Sequence, residues 1–128
     1  RGSYVFKRCN TTQEYVLQLV DAPSLRDPDR FNALVLASIL GDDVGSRIFW
    51  ELVDTGRADS AEMFFSPYTE LGNFTTSLCC QPKDVSRNLC SIREILEEAQ
   101  RDGVTEDELF RSRNKILTAT ALSSERPL

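Results

Sequence analysis

Three observations on the 128-residue sequence predict an α+β fold: an antiparallel sheet of about four strands with helices packed on one face. Runs with strand-like alternation come in pairs joined by short polar links. Each pair is followed by two stretches whose apolar residues recur at helical spacing. The balance of 41% apolar and 27% charged residues is that of a globular domain with a core. The predicted order is β-β-α-α-β-β-α-α, as a single domain over residues 1–128.

Tyr4–Cys9 reads as a short strand and Asn10-Thr11-Thr12 as turn residues. Gln13–Val20 alternates, with Tyr15, Leu17 and Leu19 on one face and Glu14 and Gln18 on the other, a half-buried strand. The two are expected to form a hairpin. Asp27 is placed to cap a helix with Pro28 at its first position. Phe31, Leu34, Val35, Leu36, Ile39 and Leu40 cover most of that helix, which predicts deep burial. Gly41 is a natural stop. Ser46 can cap a short second helix, Arg47 to about Asp54, with Ile48, Phe49, Leu52 and Val53 as its stripe and Thr55-Gly56 as its end.

Ser60–Tyr68 and Asn73–Gln81 read as two further strands, linked by a hairpin loop at Glu70-Leu71-Gly72. Pro67 places the end of the first, or a sheet edge, at that point. Pro82 opens a long helix to about Arg101, with Val85, Leu89, Ile92, Leu96 and Ala99 as its core stripe. Glu94, Glu97 and Glu98 make its solvated side, with Arg93 and Arg101 in reach of ion pairs. Asp102-Gly103 stops it. Thr105-Glu106-Asp107-Glu108 is a capping box that starts a last helix to about Ser123, with Leu109, Ile116 and Leu117 as its expected contacts.

A formal charge of −5 speaks against nucleic-acid and anionic-membrane partners, which need a basic patch. No apolar run has the length of a membrane span. Arg1-Gly2-Ser3 runs straight into a strand pattern, and the last residues stop just past a helix; a piece of a longer chain is expected. The sequence has no histidine. That removes His-based zinc sites, Ser-His-Asp triads and Cys-His dyads from these residues. Cys9, Cys79, Cys80 and Cys90 lack the paired spacing of a thiolate zinc site and the density of a disulfide scaffold. They read as buried or partly buried free thiols, which leans toward the cytoplasm.

Gly41-Asp42-Asp43-Val44-Gly45-Ser46-Arg47 resembles a ligand loop only superficially. It lacks the Gly-Lys-Ser/Thr ending of a phosphate loop and does not follow a strand. Asp42 and Asp43 are two adjacent carboxylates without the alternating oxygens and closing Glu of a calcium loop. The segment is expected to be a helix-helix link, with both aspartates in solvent. The aromatics of "EMFFSPYTELGNF" suit core packing, or a strand surface that takes a peptide. Asp27 and Asp29 do turn and capping work. No catalytic, cofactor-binding or metal-ligating residue emerges.

The stretch "LVLASILGDDVGSRIFWELVDTG" resembles the second-type, non-catalytic domain of insulinase-like (pitrilysin) zinc metallopeptidases. Leu40-Gly41, Ser46-Arg47, Ile48 and Phe49 stand where that family has a buried helix ending in Leu-Gly, a small-residue link, and a Ser-Arg-Leu-Phe-like start. Gln13 begins what would be the first central strand, and Gly72 precedes the returning one. "GVTEDELFRSRNKI", Gly103–Ile116, is similar to the family's Gly-Val-Thr-x-x-Glu-Leu helix start.

The resemblance implies a clamshell enzyme built of paired halves, whose catalytic domain holds zinc through His-x-x-Glu-His and a distal Glu. It implies that this piece carries no catalysis and no zinc of its own. Its part would be to buttress the catalytic domain and line the chamber for extended peptides. The implied partners are that domain, the second half or partner subunit, and peptide substrate. Some family members hold substrate with an Arg and a Tyr after the short helix; Val53 and Ser60 stand at those places here. Two other functions stay open at this point: an assembly domain of a catalytically dead relative, and an unrelated peptide-binding module.

Overall fold

The computed structural model describes residues 12–125. Its elements are β1 (Glu14–Ala22), α1 (Arg30–Gly41), a short helix (Phe49–Val53), β2 (Ser60–Pro67), β3 (Gly72–Cys80), α2 (Val85–Asp102) and α3 (Glu106–Glu125). The predicted strand Tyr4–Cys9, its hairpin with β1, and Cys9 lie outside the described residues. Where about four strands were expected from the pairing pattern, the described sheet has three, in the order β1-β3-β2, all antiparallel.

The register decides which side chains share a face. Val16 and Ala61 both stand opposite Leu78, and Phe65 stands opposite Phe74. These residues, with Met63 and Cys80, form the side that meets the helices. Phe65 and Phe74 pack with ring centroids 5.6 Å apart. Ile48 at the cap of the short helix, Leu52 within it and Ile92 from α2 are the largest fully buried apolar side chains among the described residues. Each contributes about 1.5–3 kcal/mol by leaving water, which is why so short a helix stays in place. The α2 stripe falls as its spacing predicts: Val85, Leu89, Leu96 and Ala99 pack against the cluster around Ile92. Glu94, Glu97 and Glu98 are exposed, and Arg93 lies 3.7 Å from Glu97.

The start of α1 differs from expectation. The helix begins at Arg30, with Asp29 rather than Asp27 in the cap position. Asp27 Oδ1 instead accepts a 2.9 Å bond from the Asp29 amide, so its side chain closes a turn two residues earlier. Phe31 and Leu34 are exposed, and the buried face consists of Ala33, Ala37, Ile39, Leu40 and Gly41. A helix with alanine and glycine at four-residue spacing can lie very close to a strand, and α1 does so on β2. A Cβ on Gly41 would sit 2.2 Å from Met63 Cβ and 2.3 Å from Met63 N. Gly41 is thus chosen for close approach, inside the last turn, rather than for a left-handed stop.

Two further expectations fail, one on β1 and one in part on α3. Tyr15, Leu17 and Leu19 are 75%, 67% and 62% exposed; the face of β1 that packs on the core is the one carrying Val16. On α3, Leu117 is well exposed and Leu109 much less so, while Ser112 is buried and Ile116, as expected, half-buried. On β1, alternation defines two faces but not which of them the helices cover.

Replacing Gly41 with alanine should destabilise the domain by about 3 kcal/mol, because a methyl group is driven into backbone rather than into a yielding side chain. Gly45 has φ +82 and open space around its Cα, so G45A should cost only about 1–2 kcal/mol of backbone strain. Urea denaturation of the two variants, side by side, checks the ranking.

Candidate functional site

The link between α1 and the short helix forms one wall of a cleft, and α3 forms the other. The cleft has a volume of ≈ 350 Å³ and is lined by Asp42, Val44, Arg47, Trp50, Ser112 and Lys115 among others. Behind the lining, between Gly45 and Arg47, Ser46 is buried. The Ser46 hydroxyl donates to the Asp42 carbonyl at 2.7 Å and accepts from the Phe49 amide at 3.1 Å. The predicted cap is therefore present, and it ties both ends of the link together.

Across the cleft, Arg47 and Glu108 meet in a two-pronged ion pair. Arg47 Nε donates to Glu108 Oε2 and Arg47 Nη2 to Glu108 Oε1, each at 2.7 Å. Arg47 Nη2 also reaches the Gly103 carbonyl at 3.2 Å. Glu108 is at the same time the closing residue of the predicted capping box. Its Oε1 accepts from the Thr105 amide at 2.9 Å, and its own amide donates to Thr105 Oγ1 at 3.1 Å. The Arg47 guanidinium, with help from the Thr105 amide, pulls the Glu108 carboxyl down to about 2. The same contact raises Arg47.

At the other end of the cleft, Lys115 Nζ lies 2.6 Å from Asp42 Oδ2 and donates to the Val44 carbonyl at 3.3 Å. The Ser38 hydroxyl donates to the same carboxylate oxygen at 3.4 Å. This corrects the expectation that both aspartates lie in solvent. Asp43 does, but Asp42 is half-buried and partnered. Lys115 carries no signal in the sequence, and Glu108 carries one only as a cap. The spacing of 61 residues between Arg47 and Glu108 has no local signature. A clasp of matched ion pairs can hold elements together; it offers no unpaired base or nucleophile for a reaction.

The cysteines are also quiet. Cys79, Cys80 and Cys90 are free; the first two are buried and Cys90 is exposed, so Cys90 departs from the expectation of buried or partly buried thiols. Burial pushes the Cys80 thiol up, away from the reactive thiolate. Cys79 Sγ lies 3.0 Å from Gln13 Oε1. Val53 packs against the core, and Ser60 is an exposed residue opening β2. Neither supplies a charged or phenolic group. The chain has no histidine, and among the described residues no group of three metal-ligating side chains comes together. Among those residues, too, no helix is long and apolar enough to cross a membrane.

The geometry is that of an α+β domain with a three-stranded antiparallel sheet, whose cleft is closed by matched ion pairs. The profile of the peptidase M16 inactive domain matches residues 1–116, and the chain belongs to that family of metallopeptidase domains. A zinc protease of Streptomyces coelicolor, itself uncharacterised, is 28% identical over 116 residues, covering 90% of this chain and 25% of that protein. The chain thus spans about a quarter of the length of that relative. Among solved structures, the inactive peptidase domain of a protein assigned as a zinc protease in Bordetella parapertussis superposes with a TM-score of 0.79 at 26% identity, over 97% of this chain and 68% of that one. The fold also matches a protease from Helicobacter pylori, with a TM-score of 0.80 at 21% identity over 91% of this chain and 28% of the other. Membership of this family removes the reading as an unrelated peptide-binding module.

Stability should depend on acid through Glu108. Its pKa of about 2 in the folded state lies below the usual 4.5, so the pair is at full strength above the unfolded value and is lost as pH falls from there toward 2. Glu108→Gln keeps a capping side chain but not the charge. It should cost on the order of 1–3 kcal/mol at neutral pH and flatten the acid limb of the stability curve, read by thermal unfolding at a series of pH values.

Proposed function

We propose that this domain is a non-catalytic part of a zinc metallopeptidase, that it buttresses the catalytic domain, and that its helix-free sheet face looks into the peptide chamber. The observation that carries the reading is the exposed row Tyr15, Leu17 and Leu19 on β1. An aligned apolar row on an open sheet face marks a surface made for contact. It suits an extended peptide, whose side chains alternate with the same period as the strand beneath it. The family assignment and the zinc-protease relative support the rest. The zinc belongs to the parent's catalytic domain, and the parent is a zinc metalloendopeptidase with a second half or a partner subunit. The free thiols of Cys79, Cys80 and Cys90 favour a cytoplasmic setting.

A second reading keeps the same fold in an assembly domain of a relative that has lost catalysis. Val53 and Ser60, in place of the substrate-holding Arg and Tyr, favour the domain that directly follows the catalytic one, or a degenerate partner half such as this reading needs. The reading frame upstream separates the two: an intact His-x-x-Glu-His marks the peptidase, and replaced metal ligands mark the scaffold.

The chain alone should hydrolyse no peptide, with or without added zinc; zinc-dependent cleavage of a peptide library by the purified 128 residues would sink the proposal. In the complete protein, Leu17→Asp with Leu19→Asp should raise KM for long peptides about tenfold or more while leaving zinc content unchanged.

A further inference from the structure

The register arranges the open face of the sheet in rows. Leu17, Ser77 and Glu62 stand abreast, and so, one row along, do Leu19, Thr75 and Phe64. The middle member of each row belongs to β3 and is short. Thr75, and Cys79 on the same face of β3, are each only 8% exposed, because the side chains beside them on β1 and β2 overhang them. The face is therefore a trough. Its floor runs along β3, and its two ridges stand about 10 Å apart, two strand spacings.

The ridges differ in chemistry. On β1 the ridge is the apolar row already described. On β2 it carries Phe64, 45% exposed, and the half-buried Glu62. The three strands hold the carboxylates of Glu14, Asp21 and Glu62 and no Lys or Arg. Glu14 stands opposite Cys80 and belongs to the helix side. Asp21 and Glu62 lie on the open face, and neither has an ion-pair partner among the described residues. The open face is thus apolar and negative, without a cation of its own.

An extended peptide along the trough repeats its downward side chains every two residues, about 6.8 Å. That is also the spacing of the rows. A side chain over Ser77 meets Leu17 on one side and the Glu62 carboxylate on the other. Lys and Arg suit that place, with the stem laid on Leu17 and the charged head at Glu62. One row along, Leu19 and Phe64 wall an apolar place. In the row after that, Asp21 offers a second carboxylate. We infer that the open face selects extended peptides carrying Lys or Arg at one position, an apolar residue two along, and a second basic residue two beyond that. Glu62 sets the preference. The inference rests on the chamber reading above and adds a sequence preference to it.

Two labelled peptides of equal length test it on the complete, zinc-loaded protein, one with Lys, Leu and Lys at alternate positions, the other with Glu, Leu and Glu. Fluorescence anisotropy, read on mixing and ahead of any cleavage, gives each Kd. The Lys peptide should bind about tenfold or more tightly, and the gap should narrow at high salt. Glu62→Lys should lower that ratio about tenfold, and Glu62→Gln should fall between. Glu94→Lys makes the same charge change at an exposed position on α2 and should leave the ratio unchanged. Leu17→Ser with Leu19→Ser should weaken both peptides together. If the double variant weakens both and Glu62→Lys leaves the ratio as it was, the inference falls and the chamber reading stands. An equal effect of Glu94→Lys would mean that overall charge selects, and the inference falls in the same way. If no variant moves either Kd, both fall. The same holds if the double variant only turns a dimer into a monomer, which would give the face to a second copy.

Discussion

The fold depends on how close α1 comes to β2. Gly41 sits almost in contact with the backbone of Met63, and Ala33 and Ala37 extend the same thin face. Nothing larger fits there. Because α1 ends pressed against the sheet, the link that follows starts from a fixed point, with Ser46 joining its two ends. The short helix is then aimed so that Ile48 and Leu52 drop into the centre of the core. The same turn brings Arg47 out on the side where α3 begins. A bulge of one methyl group at position 41 would disturb each of these steps in turn.

Polar chemistry in this domain is spent on holding elements together. Glu108 shows it most clearly, since one carboxylate serves as a helix cap and as an ion-pair partner. Asn88 is another case: fully buried in α2, it donates to the Arg57 carbonyl at 2.9 Å, while Arg57 Nη2 donates to Ser91 at 2.7 Å. These bonds lock the turn before β2 to α2. Within that cluster Arg57 Nε and Asn88 Oδ1 are buried without a hydrogen-bond partner. Among the exposed apolar side chains, Tyr15, Leu17 and Leu19 share one face of one strand, and there the reading as a contact face begins.

Much of the element order was legible in the sequence. Cap and stop signals are local: the Ser46 cap, the Thr105–Glu108 box and the α2 stripe all stand where spacing placed them. Asp27 shows the limit of such signals, since a side chain that can cap a helix can equally close the turn before it. The candidate cleft was legible only in half. The link was visible as a small-residue segment between two helices. Lys115 and Glu108 as its partners were not, because contacts across 61 residues leave no mark on local spacing.

The sequence by itself determined the class of fold, the absence of histidine chemistry, and the family resemblance, because composition, periodicity and short motifs are properties of neighbouring residues. Tertiary structure alone decided three things. It set the sheet order β1-β3-β2, turned Tyr15, Leu17 and Leu19 away from the helices, and paired Asp42 with Lys115. The reason is the same in each case. A strand's alternation is symmetric between its two faces, and a charge finds its partner by distance in space, so only the packing of distant segments can choose.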